Sequence, residues 1–296
     1  MGVGFKVAPA PAAPAGASWE SLLAQPRPLI MGVINVTPDS FADGGLFFDH
    51  DAAVNQALAL VAAGADLLDL GGESTRPFSE PTPLDEELRR VLPVIERLRA
   101  QTPIPISIDT YKSQVARAAL EAGANIINDI SALRFDPDMV HLARETGVPV
   151  ILMHIQGTPK EMQAQPHYDD LLGEIRAFFQ ERLDFALARG LSKEALVLDP
   201  GIGFGKTFQH NQEILNNLDV FLDLGCPLLI GPSRKAFLGH LLGGLPPAER
   251  DIGTLAALAV ALQRGAHFVR VHNVAYAKQF FTVLSAIIQT PRYPGS

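Results

Sequence analysis

Residues 104–130 read IPISIDTYKSQVARAALEAGANIINDI and contain one complete strand–helix–strand unit. The apolar runs Ile104–Ile108 and Ile126–Asn128 predict short buried β-strands. Between them, Ser113–Ala122 has the apolar spacing of an amphipathic helix. Gly123 follows that helix, at the position where a left-handed cap is favoured. The stretch therefore predicts two parallel strands joined by a helix.

The same alternation runs through most of the chain. Strands are predicted at Leu29–Ile34, Leu67–Leu70, Ile104–Ile108, Ile126–Asn128, Val148–Met153, Ala195–Leu198, Leu228–Ile230 and Phe268–Val271. Helices are predicted at Leu84–Ala100, Ser113–Ala122, Asp170–Arg189, Asn211–Leu224 and Asp251–Arg264. About eight strand–helix alternations favour a single (β/α)₈ TIM barrel, and a doubly wound open α/β sheet is the alternative. We assign residues 19–296 to the barrel and residues 1–18, rich in Ala and Pro, to a flexible extension.

Composition narrows the classes of function. The 296 residues are 47% hydrophobic and 19% charged, which suits a large core, and the net charge of −8 argues against nucleic-acid or anionic-membrane binding. No apolar run approaches the ~20 residues of a membrane-spanning helix. The single cysteine, Cys226, excludes disulfides within the chain, so a cytoplasmic location is the simplest expectation.

Polar residues follow nearly every predicted strand. In a TIM barrel these carboxyl ends meet at one mouth, where the active site lies. Helix capping explains some Asp, Asn, Ser and Gly at such positions, but cations are disfavoured beside helix N-termini. The cationic residues at these ends therefore predict an anionic ligand. These residues are Arg76, Lys235, Arg270 and His272.

The glycine-rich segment Gly201–Thr207 resembles a phosphate-binding loop only in part. Pro200 stands where a Walker A motif requires Gly, and the spacing is not that of a dinucleotide fold. We expect the glycines to let the backbone approach a flat ligand, with Phe204 as one wall.

Eight motifs, taken in order, closely resemble the dihydropteroate synthase family, the sulfonamide-target enzymes of folate synthesis. They are MGVINVTPDSFADGG (31–45), GGESTRP (71–77), SIDT (107–110), NDI (128–130), MHIQGTPK (153–160), DPGIGFGK (199–206), GPSRK (231–235) and RVH (270–272). Each alone is weak, but the ordered set is specific. The chain departs from the family at Phe78, where Gly is common, and in the first loop beyond Gly45.

The resemblance implies a TIM-barrel transferase that joins 6-hydroxymethyl-7,8-dihydropterin diphosphate to p-aminobenzoate, giving 7,8-dihydropteroate and diphosphate with Mg²⁺. A carboxylate accepts two pterin N–H donors at once, and an Arg plane stacks on a flat ring. The pterin residues implied are Asp109, Asn128, Met153, Asp199, Lys235 and Arg270.

The same resemblance implies the remaining roles. The p-aminobenzoate pocket would contain Phe41, Thr75, Pro77, Phe204 and Ser233, with Lys235 between the two pockets. The diphosphate would meet Asn35, Arg76, Arg270 and His272. Asn35 would supply an oxygen to Mg²⁺, which often shares substrate phosphates. The catalytic set implied is Lys235, Arg270, His272, Arg76 and Asp43, with Asp43 stabilising a cation in an SN1-like path.

Two other functions remain open on the sequence. One is a pterin-binding methyltransferase of the same superfamily, which would not need the loops at 35–41 and 74–77. The other is a paralogue that binds pterin without catalysis. His154 has no implied role, and we expect a core histidine there. The resemblance also suggests a homodimer.

Overall fold

Eight parallel strands alternate with helices in the computed structural model, which describes residues 18–37 and 50–289. The strands are β1 (Leu29–Asn35), β2 (Leu67–Gly71), β3 (Ile106–Asp109), β4 (Ile126–Asp129), β5 (Val150–Met153), β6 (Leu196–Asp199), β7 (Leu229–Ile230) and β8 (Phe268–Val271). All eight lie at predicted positions. Their near-continuous apolar sequences suit strands that are buried on both faces.

The strands form one sheet that curves into a barrel. Each strand from β1 to β5 pairs with the next, and β1 also pairs with β8, which pairs with β7. A parallel bridge between Leu198 and Leu228 joins β6 to β7. The TIM barrel predicted from the sequence is therefore confirmed, and the open-sheet alternative is excluded.

Helices surround this barrel. They are α1 (Trp19–Leu23), α2 (His50–Ala62), α3 (Leu84–Arg99), α4 (Ser113–Ala122), α5 (Met139–Thr146), α6 (Leu171–Ala188), α7 (Phe208–Asn216), α8 (Ala236–Leu241), α9 (Asp251–Gln263) and α10 (Val274–Gln289). Short 3₁₀ turns occupy Lys193–Ala195, Leu218–Leu224 and Pro247–Glu249. Within the described ranges, no helix combines the length and apolarity needed to cross a bilayer.

Several element bounds differ from the predictions for local reasons. β3 and β5 begin after Pro105 and Pro149, because proline has no N–H to donate to the ladder. The helix predicted at Asn211–Leu224 is wrong in its extent. The Thr207 hydroxyl caps a helix that begins earlier, and the chain changes to a 3₁₀ turn after Asn217.

The helix α1 covers one end of the barrel. Trp19 stacks on Phe268, at the start of β8, with ring centroids 5.6 Å apart, and Leu22 packs into the barrel interior. Ser18 caps this helix by accepting from the N–H of Ser21. The predicted extension lies, apart from Ser18, outside the described residues. Because α1 covers the amino ends of the strands, the carboxyl ends are left for the site.

Candidate active site

Strand register places the predicted pterin residues side by side at the carboxyl ends. Asp109 on β3 is the register partner of Asn128 on β4. Met153 on β5 is the partner of Asp199 on β6. Because neighbouring parallel strands lie about 4.8 Å apart, each pair presents its side chains to the same small region.

Arg270 joins this region to a residue that the sequence analysis missed. Its Nε donates to Oδ2 of Asp69 over 2.6 Å, and its Nη2 donates to Oδ2 of Asp109 over 2.9 Å. Asp69 is fully buried, and the Asn128 amide also donates to its carboxylate. Asp69 is the one charged residue in the apolar run of β2. A single charge in such a run is the feature of the sequence that could have indicated a buried partner.

These contacts leave acceptor atoms that suit a pterin edge. Oδ1 of Asp109 is buried and has no hydrogen-bond partner among the described residues. The side-chain nitrogen of Asn128 donates to Asp69. The side-chain oxygen Oδ1 of Asn128 is therefore left to accept from a ligand. Burial and then the charge of Asp69 raise the pKa of Asp109. An N–H donor on a ligand would pair the unpartnered oxygen and would favour the charged form of the buried Asp109 carboxylate.

Asp199 is held in a different way. Its Oδ1 accepts from the backbone N–H of Gly201 over 2.8 Å, and no described residue donates to its Oδ2. Burial raises the pKa of Asp199 to about 6, so the carboxylate is charged at neutral pH. A charged oxygen without a partner suits an N–H donor on a ligand.

Lys235 lies against the glycine-rich loop that follows β6. Its ammonium is 4.2 Å from the centroid of the Phe204 ring. A Cβ on Gly203, whose φ is +81°, would lie 3.2 Å from Cδ of Lys235, so glycine permits this approach. Burial, then the charge of Arg270, lowers the pKa of Lys235 to about 8. Lys235 and Phe204 are therefore in contact, and their assignment to a shared pocket stays a prediction.

His272 and Ser233 form a second polar group. The Ser233 hydroxyl and Nδ1 of His272 lie 3.0 Å apart, and the His272 backbone N–H donates to the same hydroxyl. Burial, then the charge of Arg270, lowers the pKa of His272 to about 3, so its ring is neutral at pH 7. Ser233 thus lies beside the predicted diphosphate residue, and its assignment to p-aminobenzoate stays a prediction.

The other predicted residues that the structure describes make no side-chain hydrogen bond or ion pair with Asp109, Asp199 or Arg270. Thr75, Arg76 and Pro77 lie in the loop after β2, where Arg76 and Pro77 are exposed. Asn35 ends β1 and is half-buried. Phe41 and Asp43 lie outside the described residues.

The backbone conformation of Phe78 shows why glycine is favoured at this position. Its φ is +65°, in the left-handed region that a side chain disfavours. Its N–H donates to the carbonyl of Pro159 over 3.0 Å, which ties the loop after β2 to the loop after β5. Its side chain is exposed. The departure from the family pattern therefore lies in an exposed loop, and Phe78 makes no hydrogen bond to the buried cluster.

A parallel barrel with carboxylates and cations at the carboxyl ends of its strands defines the class of TIM-barrel enzymes with a polar ligand site at the mouth. The family model for pterin binding enzymes matches residues 31–272, and the chain belongs to this family. Its relatives include the dihydropteroate synthases of Synechocystis, 47% identical over 88% of this chain and 90% of the relative, and of Escherichia coli, 44% identical over 88% and 92%.

Solved structures agree with these relatives. The Xanthomonas albilineans dihydropteroate synthase with 4-aminobenzoic acid matches with a TM-score of 0.85 and 48% identity, over 90% of this chain and 95% of that one. The same enzyme in complex with 7,8-dihydropteroate matches with a TM-score of 0.82, 46% identity and the same coverage. The Yersinia pestis synthase with a sulfonamide drug complex matches with a TM-score of 0.84 and 44% identity, over 89% and 95%. The resemblance drawn from the eight motifs is confirmed.

Proposed function

We propose that this chain is a dihydropteroate synthase, a transferase that condenses 6-hydroxymethyl-7,8-dihydropterin diphosphate with p-aminobenzoate. The observation that carries the proposal is the set of acceptors at the barrel mouth. Asp109 and Asp199 each present a carboxylate oxygen without a described donor, beside the Asn128 amide. A pterin edge carries the amino and ring N–H groups that these oxygens need.

The reaction breaks one carbon–oxygen bond and forms one carbon–nitrogen bond. The electron pair of the broken bond leaves with the diphosphate, and the amine lone pair then attacks the pterin methylene carbon and loses a proton. An electron-rich dihydropterin stabilises the cation between these steps, so the path is SN1-like. Asp43, which follows β1 in the chain, is assigned by resemblance to stabilise that cation.

The leaving diphosphate is assigned to Asn35, Arg76, Arg270 and His272. Nη1 of Arg270 makes no hydrogen bond within the described structure, so it is free to donate to the anion. His272 is neutral and contributes an N–H rather than a charge. These donors are aimed at charge that develops as the bond breaks.

Magnesium is part of the proposal. The described residues contain no cluster of three His, Cys, Asp or Glu side chains able to hold a metal ion. Asn35 instead offers one amide oxygen at the end of β1, which fits an ion that takes its other ligands from phosphate and water. When bound, Mg²⁺ neutralises charge on the leaving group.

The p-aminobenzoate pocket rests on resemblance and on one contact. Phe204 provides an apolar wall against the Lys235 ammonium. Phe41, Thr75, Pro77 and Ser233 complete the proposed pocket.

A turnover assay with both substrates and Mg²⁺ tests the function. We expect formation of 7,8-dihydropteroate, and loss of product with Asp199→Ala but not with Asp184→Ala, an exposed position on α6. Pterin binding without product would indicate a non-catalytic paralogue. Methyl transfer from a methylated folate, without dihydropteroate, would indicate the methyltransferase.

A homodimer and a cytoplasmic location are also proposed. Tyr276, Val283 and Ile287 lie on one exposed face of α10, at helical spacings of seven and four, and Ile252 is exposed on the neighbouring α9. Such an apolar face suits a second copy of the chain. Sedimentation analysis should give twice the chain mass, and Val283→Glu should shift the protein toward monomer. A monomer at all concentrations would contradict the proposal.

A further inference from the structure

Lys206 is a fully buried lysine for which the proposed reaction has no use. Among the described residues, its amine makes no ion pair with a carboxylate and contacts only His154 and Phe204, although Asp199 is close enough to raise its pKa. Burial outweighs that effect and lowers the pKa of Lys206 to about 7. A buried amine of this kind costs stability unless its hydrogen bonds are made.

Three acceptors surround the Lys206 amine. Nζ lies 2.9 Å from the carbonyl oxygen of Phe204, 2.9 Å from Nδ1 of His154 and 3.4 Å from the carbonyl oxygen of His154. The ammonium form has three N–H donors, so it satisfies all three acceptors. Nδ1 of His154 is then an acceptor, in agreement with burial and the charge of Lys206 lowering the pKa of that ring.

These contacts join the end of β5 to the loop after β6. The two segments already touch, since a Cβ on Gly201 would lie 2.1 Å from the His154 carbonyl oxygen. The backbone of Lys206 is also fixed, because its N–H donates to Gln163 and its carbonyl accepts from the same side chain. The Lys206 side chain therefore bridges two rigid segments.

The bridge ends on the residue that faces Lys235. Phe204 packs in one apolar cluster with Met153, the predicted pterin floor, and its ring lies 4.2 Å from the Lys235 ammonium. Its carbonyl oxygen is the atom to which Lys206 donates. We therefore expect a change at Lys206 to act first on Phe204, while Asp109 is held by Arg270, which Lys206 does not contact.

We propose that Lys206, together with His154, is a positioning residue that sets Phe204 against Lys235 and so shapes the p-aminobenzoate side of the site. The inference rests on the proposed function. It assigns no chemical step to Lys206, which reaches the substrates only through Phe204.

Steady-state kinetics on the full chain test this role. Lys206→Met keeps the length of the side chain and removes the three donors. We expect the KM for p-aminobenzoate to rise about tenfold, and the KM for pterin diphosphate to change by less than about threefold. Lys193→Met, at an exposed lysine in the turn before β6, is the matched control and should leave both values unchanged.

A second variant separates positioning from folding. His154→Leu removes the ring acceptor and leaves Lys206 its two carbonyls, so it should raise the same KM by less than Lys206→Met. In the double variant the two effects should not add, because both act through one bridge.

The outcomes are distinct. A lower melting temperature or active fraction with both KM values unchanged would make Lys206 merely structural and overturn the proposal. Equal increases in both KM values would overturn it as well. Failure of the unmodified chain to form dihydropteroate would instead contradict the proposed function.

Discussion

Nε of Arg270 donates to Oδ2 of Asp69 over 2.6 Å, although the two residues are 201 positions apart in the chain. The Asp69 carboxylate is fully buried, and the same guanidinium also bonds Asp109. One arginine is therefore held between two carboxylates. Its plane is fixed before any ligand binds, which lowers the entropy cost of placing it beside a flat ring or an anion.

Replacing Asp69 with asparagine should weaken catalysis through Arg270. The carboxamide keeps the size but loses the charge that fixes the guanidinium. A hydrogen bond to a charged group contributes about 1.5–3 kcal/mol, so kcat/KM for the pterin substrate should fall roughly 10- to 150-fold. Asp184→Asn, on the exposed face of α6, is the control for expression and handling. Unchanged kinetics with Asp69→Asn would show that the charge of Asp69 is not needed to orient the Arg270 guanidinium.

Pterin affinity should depend on pH through Asp199. Burial raises the pKa of Asp199 from 3.8 to about 6, so the carboxylate becomes charged and binds pterin better as pH rises through 6. At pH values between 3.8 and about 6, Asp199 is protonated in the native state and charged in the unfolded state. The contribution of Asp199 to stability therefore falls over the same range in which affinity rises.

Calorimetric titration of a pterin and thermal melts across this range measure both trends. Asp199→Asn should bind pterin more weakly and with a shallower pH dependence. Some dependence should remain, because the pKa of Asp109 is also raised by burial. An unchanged affinity profile in Asp199→Asn would remove Asp199 from the pterin site.

Lys235 should matter for both substrates. Lys235→Met keeps most of the apolar stem and removes the ammonium that faces Phe204. Loss of one cation–π contact and of a charged donor should raise both KM values by roughly tenfold. Lys235→Arg should not restore activity, because a broad planar fork replaces a point donor. Wild-type kinetics in either variant would contradict the placement of Lys235 between two pockets.

The sequence predicted the barrel because its signals are local. Apolar runs, helical spacing and glycine caps each depend on neighbours within a few residues, and Gly64, Gly123 and Gly265 all have the positive φ expected of caps. The strand ends in turn placed Asp109, Asn128, Met153 and Asp199 together, because parallel strands share one mouth. Burial of His154 was also predicted correctly.

Two residues that support the site carry little signal in the sequence. Asp69 acts on Arg270 across the barrel, and Lys206 reaches back to His154 over 52 positions. Such contacts depend on the three-dimensional register of distant segments, which composition and spacing do not encode. A lone charged residue inside an apolar run, as in LLDL at 67–70, is the one local sign of them.

A buried ionic network braces the loop that carries Thr75, Arg76 and Pro77. Lys112 bonds Glu87 at 2.6 Å and also bonds Glu73, which begins the loop. Glu73 further accepts from the Tyr111 hydroxyl and from the N–H of Thr82, at the far end of the loop. Both ends of the loop are thereby fixed to the barrel.

Lys112→Met should loosen this loop and weaken p-aminobenzoate binding more than pterin binding. It leaves Glu73 and Glu87 as buried carboxylates without their cation, a change that costs about 3–5 kcal/mol of stability. Adding Glu87→Gln should recover part of that loss. Lys160→Met is the matched control, because Lys160 pairs with Glu80 on the same loop with both side chains exposed, and such pairs contribute about 0–1 kcal/mol. Melting temperatures and the KM for each substrate measure the effect. If Lys112→Met and Lys160→Met changed the KM for p-aminobenzoate equally, the buried network would not be what holds the loop over the site.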